Sequence, residues 1–213
     1  MSKEKLPVVV LISGRGSNLQ AIIDDAENAH CPFEVSAVIS NRPGAAGLER
    51  AQRANISTRI VDHKSHANRE SFDAALVENI DAYQPGLVVL AGFMRVLTSD
   101  FVKHYEERLI NIHPSLLPEF PGLDTHQRAI DSGAREHGAS VHFVSCALDS
   151  GPLIVQARVP LLTGDDAETL AARVLEQEHR ILPRAIRWFA EGRLAIETDG
   201  GAERVMLDGN PAL

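Results

Sequence analysis

Pro7-Val8-Val9-Val10-Leu11-Ile12-Ser13-Gly14-Arg15-Gly16-Ser17-Asn18-Leu19 is an unbroken apolar run that stops at two glycines and passes into helical spacing. A strand buried on both faces reads as such a run, and strands of that kind belong to parallel sheets covered by crossover helices. Residues 7–12 are therefore read as the first strand, 13–18 as the turn, and 19–27 as a helix with Leu19, Ile22, Ile23 and Ala26 on its core face. Outward from this unit the pattern repeats, with strands at 33–40, 58–61 and 87–91 and helices at 45–54 and 68–83. This is a doubly wound beginning.

Beyond residue 98 the pattern changes. A helix at 99–105 and a strand at 109–112 lead into a proline-punctuated loop up to Pro121-Gly122, then a helix at 125–131. Strands at 139–144 and 153–160 flank the turn-rich Leu148-Asp149-Ser150-Gly151-Pro152, which suits an antiparallel or mixed edge. A long helix at 166–190 closes the domain, with Val174, Ile181, Ile186 and Phe189 in its core. The expected fold class is α/β: a Rossmann-like N-terminal parallel βαβ half continuing into one mixed sheet flanked by helices. One domain is expected over residues 1–195. The stretch 196–213, rich in Gly, Asp and Glu, is expected to be a partly ordered tail.

At 213 residues, 44% of them apolar and 23% charged, the chain is long enough for a substantial core. No stretch approaches the length of a membrane span, and Met1-Ser2-Lys3-Glu4-Lys5 does not lead into a signal-peptide core, so a cytoplasmic protein without membrane contact is expected. Cys31 and Cys146 are too few for a disulfide framework or a structural zinc site. Among nine histidines the closest pair is His63 and His66, with no His-Glu-x-x-His motif or paired cysteine beside them, so no metal is expected. The net charge of −8 argues against nucleic acid as a partner, because binding polyphosphate needs a basic surface. Small anions remain open, with Arg15, Lys64, Arg69 and Arg95 as local cations.

Gly14 and Gly16 between a buried strand and a helix start place backbone N–H groups toward an anion, and phosphate is the natural guest. The turn is not a P-loop, since Gly-Lys-Ser/Thr is absent. Leu19 stands where a dinucleotide fingerprint wants Gly or Ala, and Asn41-Arg42 replaces the acidic residue that would hold a ribose, so a nicotinamide cofactor is not expected.

In Asn111-Ile112-His113-Pro114-Ser115-Leu116-Leu117-Pro118, strand alternation sets Asn111 and His113 on one face, and the prolines stiffen the exit. Amide and imidazole donors converging there could hold an oxygen that becomes negative in a tetrahedral intermediate. Asp149, on a Gly-Pro turn, supplies the carboxylate that would fix the tautomer of the imidazole. His137 and His142 are weaker candidates; His142 shares a face with Ser140 and Val144 and could line the site, with a structural role equally open.

Four ordered motifs carry a resemblance: residues 13–21, Leu90-Ala91-Gly92-Phe93-Met94-Arg95, the Asn111 to Pro118 stretch and the Leu148 to Pro152 turn. Together they resemble the phosphoribosylglycinamide formyltransferases of the folate-dependent formyltransferase family over residues 7 to 195. The resemblance implies transfer of the formyl group of 10-formyltetrahydrofolate, as co-substrate, to the amine of glycinamide ribonucleotide, by direct attack through a tetrahedral intermediate. It places the catalytic trio on Asn111, His113 and Asp149, and the substrate phosphate on Gly16, Ser17 and Asn18. It puts the substrate amine and ribose on Glu178, which alone would read as a solvated helix residue. Folate contacts fall on Arg69, Met94, Arg95, Val96, Leu97, Asn111, Ser145, Cys146, Ala147, Leu148 and Asp149. Arg15 and Asp124 receive no role. The resemblance leaves a monomer or a homodimer open.

Three rivals have distinct signatures. A methionyl-tRNA formyltransferase resembles a longer chain with a basic RNA-binding domain, and a formyltetrahydrofolate hydrolase resembles the same core behind an added N-terminal domain. A non-catalytic nucleotide-binding module would keep the phosphate turn without needing Asn111, His113 and Asp149.

Overall fold

The computed structural model describes residues 4–213. Met1-Ser2-Lys3, on which part of the signal-peptide argument rests, lies outside the described residues. The chain order is β1 (Leu6–Ile12), α1 (Ser17–Ala26), β2 (Phe33–Ser40), α2 (Gly47–Arg53), β3 (Ser57–Ile60), α3 (Arg69–Asp81), β4 (Leu87–Leu90), α4 (Ser99–His104) and β5 (Leu109–His113). It continues with α5 (Thr125–Asp131), β6 (Glu136–Phe143), β7 (Leu153–Pro160), α6 (Ala167–Ala190), β8 (Leu194–Asp199), β9 (Ala202–Leu207) and β10 (Asn210–Pro211). Seven strands follow the order β3-β2-β1-β4-β5-β6-β7 in a mixed sheet. The chain divides inside β5, after Asn111, into two compact units.

In the first unit every strand pairing is parallel: β1 with β2 and β4, β2 with β3, and β4 with β5. Val8 through Ile12 and Leu87 through Val89 are wholly buried, as strands covered on both faces require. From α1, Leu19, Ile22 and Ile23 are buried, the helical spacing read from the sequence. Because β1 lies between β2 and β4, the sheet reverses its winding there. The carboxyl ends of β1 and β4 thus border the crevice in which open α/β sheets bind ligands.

In the second unit β6 and β7 pair antiparallel, with Ala139 opposite Ala157 and Val141 opposite Val155. Strand β6 begins at Glu136, before the position the sequence suggested, because the ladder with β7 extends back through buried His137 and Gly138, opposite Val159 and Arg158. Helix α6 starts at a capping box made by Asp166 and Thr169, and its buried stripe of Leu170, Val174, Ile181, Leu182 and Ile186 packs on β6 and β7. Phe189 is half-buried near the end of that stripe.

The segment expected as a partly ordered tail instead carries the antiparallel meander β8-β9-β10, with Ile196 paired to Val205 and Asn210 to Leu207. Gly200-Gly201 and Asp208-Gly209, all at positive φ, form its two turns. The composition that suggested disorder is the composition tight hairpins need. Among the described residues no helix is long and apolar enough to cross a membrane.

Candidate active site

Gly16 caps α1 in the left-handed conformation, at φ 71°, and no side chain caps the helix. The first-turn amides of Ser17 and Leu19 therefore have no intrahelical acceptor, and the helix dipole adds to their pull on an anion. Two residues that the sequence did not single out fix this turn. The Gly47 N–H donates to the Gly14 carbonyl at 3.0 Å, and Arg50 Nε donates to the Arg15 carbonyl at 2.9 Å. A Cβ on Gly16 would lie 2.6 Å from Gly47 Cα, so the two backbones touch where neither residue has a side chain. A cavity of about 330 Å³ opens over the turn, lined by Gly16, Ser17, Asn18, Gly92 and Met94 among others.

Below the turn, Ser13 Oγ donates to Asn41 Oδ1 at 2.6 Å and accepts from the Met94 N–H at 2.7 Å. One hydroxyl thus ties the ends of β1, β2 and β4 together. Asp73, in α3, accepts from the Thr98 N–H at 2.6 Å, anchoring the far end of the Met94-Arg95-Val96-Leu97 segment. Burial pushes the Asp73 carboxyl above its ordinary value, against that hydrogen bond. Met94 and Val96 are exposed, at 60% and 58%. Arg69 stands exposed at the first position of α3.

In the second unit His113, 6% exposed, ends β5. Its Nε2 donates to the Phe120 carbonyl at 3.0 Å, and its Nδ1 faces Asp149 Oδ2 at 3.5 Å. The carbonyl can only accept, so it is Phe120 that sets the ring's tautomer and orientation. At 3.5 Å the Nδ1 to carboxylate distance exceeds the ordinary hydrogen-bond range. Asp149 Oδ2 is held by the Gly122 N–H at 2.8 Å, and Oδ1 lies 3.9 Å from His142 Nε2. Asn111, half-buried, lies two residues before His113 in the same strand, on the face alternation assigns to both.

The loop after β5 is pinned by residues the sequence reading left aside. Ser140 Oγ donates to the Ser115 carbonyl at 2.6 Å and accepts from the Leu117 N–H and from Gln156 Nε2. Gln156 Nε2 also reaches the Leu117 carbonyl at 2.8 Å, and Thr125 Oγ1 donates to the Pro114 carbonyl at 2.7 Å. Strand alternation alone could have found Ser140, which shares the face of His142.

Three more imidazoles surround this centre. Burial pushes His126 and His142 below the ordinary histidine value and His137 down to about 4, with the charge of His113 adding to each effect. His142 Nδ1 donates to the Phe143 carbonyl at 2.8 Å. His137 and His126 meet edge to face, ring centres 5.2 Å apart.

Asp149 occupies a left-handed position, φ 49°, in the turn that also presents Ser145, Cys146, Ala147 and Leu148. The Ser145 hydroxyl closes that turn on the Ala147 carbonyl, and Leu148 is 60% exposed. Gly151 lets the turn lie against the end of β6, because a Cβ there would come within 1.9 Å of the Phe143 carbonyl oxygen. Gly151→Ala is therefore expected to cost about 1–3 kcal/mol, the ordinary range for overpacking. Activity should fall beyond what lost folding explains, as Asp149 shifts; urea unfolding beside a turnover assay on the folded fraction separates the two effects.

Glu178, which sequence alone assigns to solvent, is 7% exposed on α6. A helix face that takes a carboxylate out of water needs compensation for it. Asp124 begins α5 in a left-handed conformation without a side-chain cap.

The chain that carries these residues has similar relatives over most of its length. A family model described as formyl transferase matches residues 6–186. The phosphoribosylglycinamide formyltransferase of Escherichia coli (strain K12) is 54% identical over 189 residues, 89% of each chain. That of Haemophilus influenzae is 43% identical over 190 residues, 89% of this chain and 90% of the other. The solved structure of the enzyme of that name from Coxiella burnetii, in complex with CHES, superposes with a TM-score of 0.91 at 52% identity, covering 98% of this chain and 96% of the other. Matched by the family model over most of its length and by whole relatives at such identity, the chain belongs to the formyl transferase family and is a formyl-transferring enzyme.

Proposed function

We propose that the chain moves the formyl group of 10-formyltetrahydrofolate to the amine of glycinamide ribonucleotide, giving formylglycinamide ribonucleotide and tetrahydrofolate for purine biosynthesis. The observation that carries this reading is His113, oriented by the Phe120 carbonyl, with Nδ1 turned toward an Asp149 carboxylate too distant to bond it directly. The whole-length likeness to enzymes named for this reaction supports it.

In this reading the substrate phosphate rests on the amides of Gly16, Ser17 and Asn18, and Glu178 meets its amine and ribose. The folate lies on Arg69, on Met94, Arg95, Val96 and Leu97, and on Ser145, Cys146, Ala147 and Leu148. The exposed apolar side chains of Met94, Val96 and Leu148 suit a flat ring system, which would remove them from water. The amine attacks the formyl carbon and its lone pair forms the new C–N bond while the carbonyl electrons move onto oxygen. Asn111 and, in the imidazolium form of His113, the Nδ1–H stabilise that oxygen. Asp149 accepts the proton shed by the amine, directly or through water, and the proton leaves on the folate nitrogen as the old C–N bond breaks. Holding both reactants in line supplies much of the rate.

Residues 1–195 act as one formyltransferase domain, and 196–213 stand outside the chemistry. The enzyme works in the cytoplasm as a monomer or homodimer and needs neither metal nor nucleic acid. The test mixes purified protein with glycinamide ribonucleotide and the formyl folate and follows release of the deformylated folate. Release is expected only when the ribonucleotide is present; equal release without it would make the enzyme a formyltetrahydrofolate hydrolase instead.

A further inference from the structure

Beside the glycine turn lies a second and larger cavity, of about 730 Å³, at the carboxyl ends of β1, β2 and β3. It shares Ser13, Gly14, Arg15 and Arg42 with the smaller cavity, but Gly16, Ser17 and Asn18 do not line it, and Asp62, His63 and Lys64 line it alone. Its volume is that of a small-molecule site.

The electrostatics of this cavity run against the rest of the chain. On a protein of net charge −8, Arg15, Arg42 and Lys64 converge on one concave surface. None of these three cations has an ion-pair partner among the described residues. The one carboxylate in the lining, Asp62, is turned onto its own backbone, where it accepts from the Lys64 N–H at 3.0 Å. Concave walls of low dielectric focus the field of such charges on an anion.

Beneath the lining, Ser13 and His63 are both bonded to Asn41. Asn41, wholly buried, takes the Ser13 hydroxyl on its side chain and His63 Nδ1 on its carbonyl at 2.9 Å. Arg42 follows it directly, at the end of the second strand of a doubly wound sheet, where an arginine in other such sheets holds a ribose-bound phosphate. Small residues, Pro43 through Ala46, form the wall opposite.

We propose that this cavity binds the phosphate of a second small molecule, held by Arg42 and Lys64 with help from Arg15, beside the site of the substrate's own phosphate. Two sources share that chemistry: a mononucleotide, and free pyrophosphate. Calorimetry on the full chain without substrates, titrating adenosine monophosphate in one arm and inorganic pyrophosphate in the other, tells them apart. Binding in either arm is expected, weakened about tenfold by Lys64→Ala and further by Lys64→Glu, since losing a charge-assisted contact is worth at least that factor. Because Lys64 does not line the smaller cavity, KM for glycinamide ribonucleotide should be unchanged in Lys64→Ala. The proposal is overturned if neither ligand binds at millimolar concentration, or if both bind wild type and Lys64→Glu equally, as they would on the glycine turn alone. The readout needs no turnover, so it stands apart from the formyl-transfer assay.

Discussion

Replacing His113 by alanine is expected to lower kcat by about 10²–10³-fold, the ordinary loss when one donor to a developing oxyanion is removed. KM for both substrates should stay close to the wild-type value, because in the proposed mechanism the ring meets the reacting carbonyl rather than the phosphate or the folate ring. Asp149→Asn sharpens the test. An asparagine oxygen still accepts from the Gly122 N–H, so the 2.8 Å bond that holds the turn survives while the proton acceptor is lost. A large drop in kcat with an unchanged unfolding transition marks Asp149 as a chemical participant. Near-normal turnover in both variants would end the assignment of this strand end as the reacting centre.

Acid should loosen the second unit, and His137 should account for much of the effect. This residue is 1% exposed, and burial holds its imidazole at about 4 against an ordinary value of 6.5. Neither ring nitrogen makes a hydrogen bond of good geometry, and the influence of the Pro114 carbonyl offsets the burial only in part. A group with a depressed folded value binds more protons unfolded, so stability falls as pH drops from about 6.5 toward 4. The whole shift corresponds to about 3 kcal/mol. His137→Phe keeps an aromatic ring against Phe120 and His126 without a nitrogen to protonate. It is expected to flatten the acid limb of the stability curve and to leave stability at pH 8 equal or higher, as urea midpoints across pH 4 to 8 will show. An acid limb unchanged in the variant would assign the loss to another group.

The first half of the fold is legible because buried parallel strands write themselves as apolar runs: Val8 through Ile12 needs no tertiary information to be read. The long amphipathic α6 is legible for the same reason, through its helical stripe. Where composition and geometry part company, the reading fails. Gly200-Gly201 and Asp208-Gly209 look like flexible chain and serve as hairpin turns, because positive φ and flexibility ask for the same residues. In the site, the pairing of His113 with Asp149 spans a long sequence separation. Nothing in periodicity requires it; it became visible through the motif resemblance and the chemistry each residue offers. The orientation of His113 by the Phe120 carbonyl was illegible, since a backbone acceptor has no residue-type signature. The same holds for Gly47 and Arg50, which grip the glycine turn from another helix by donating to the backbone carbonyls of Gly14 and Arg15. Glu178 illustrates the opposite error: residue type says solvent, and only its place on the buried stripe says otherwise.

The Ser140 hydroxyl, with its proton given to one carbonyl and its oxygen accepting twice, has nothing left to offer a carbonyl carbon. Ser115 is similarly committed to the Glu119 carbonyl, and both serines are wholly buried. The alcohols of Ser140 and Ser115 are thus chemically silent, so neither can serve as a way station for a formyl group, and the direct transfer proposed above routes no step through them.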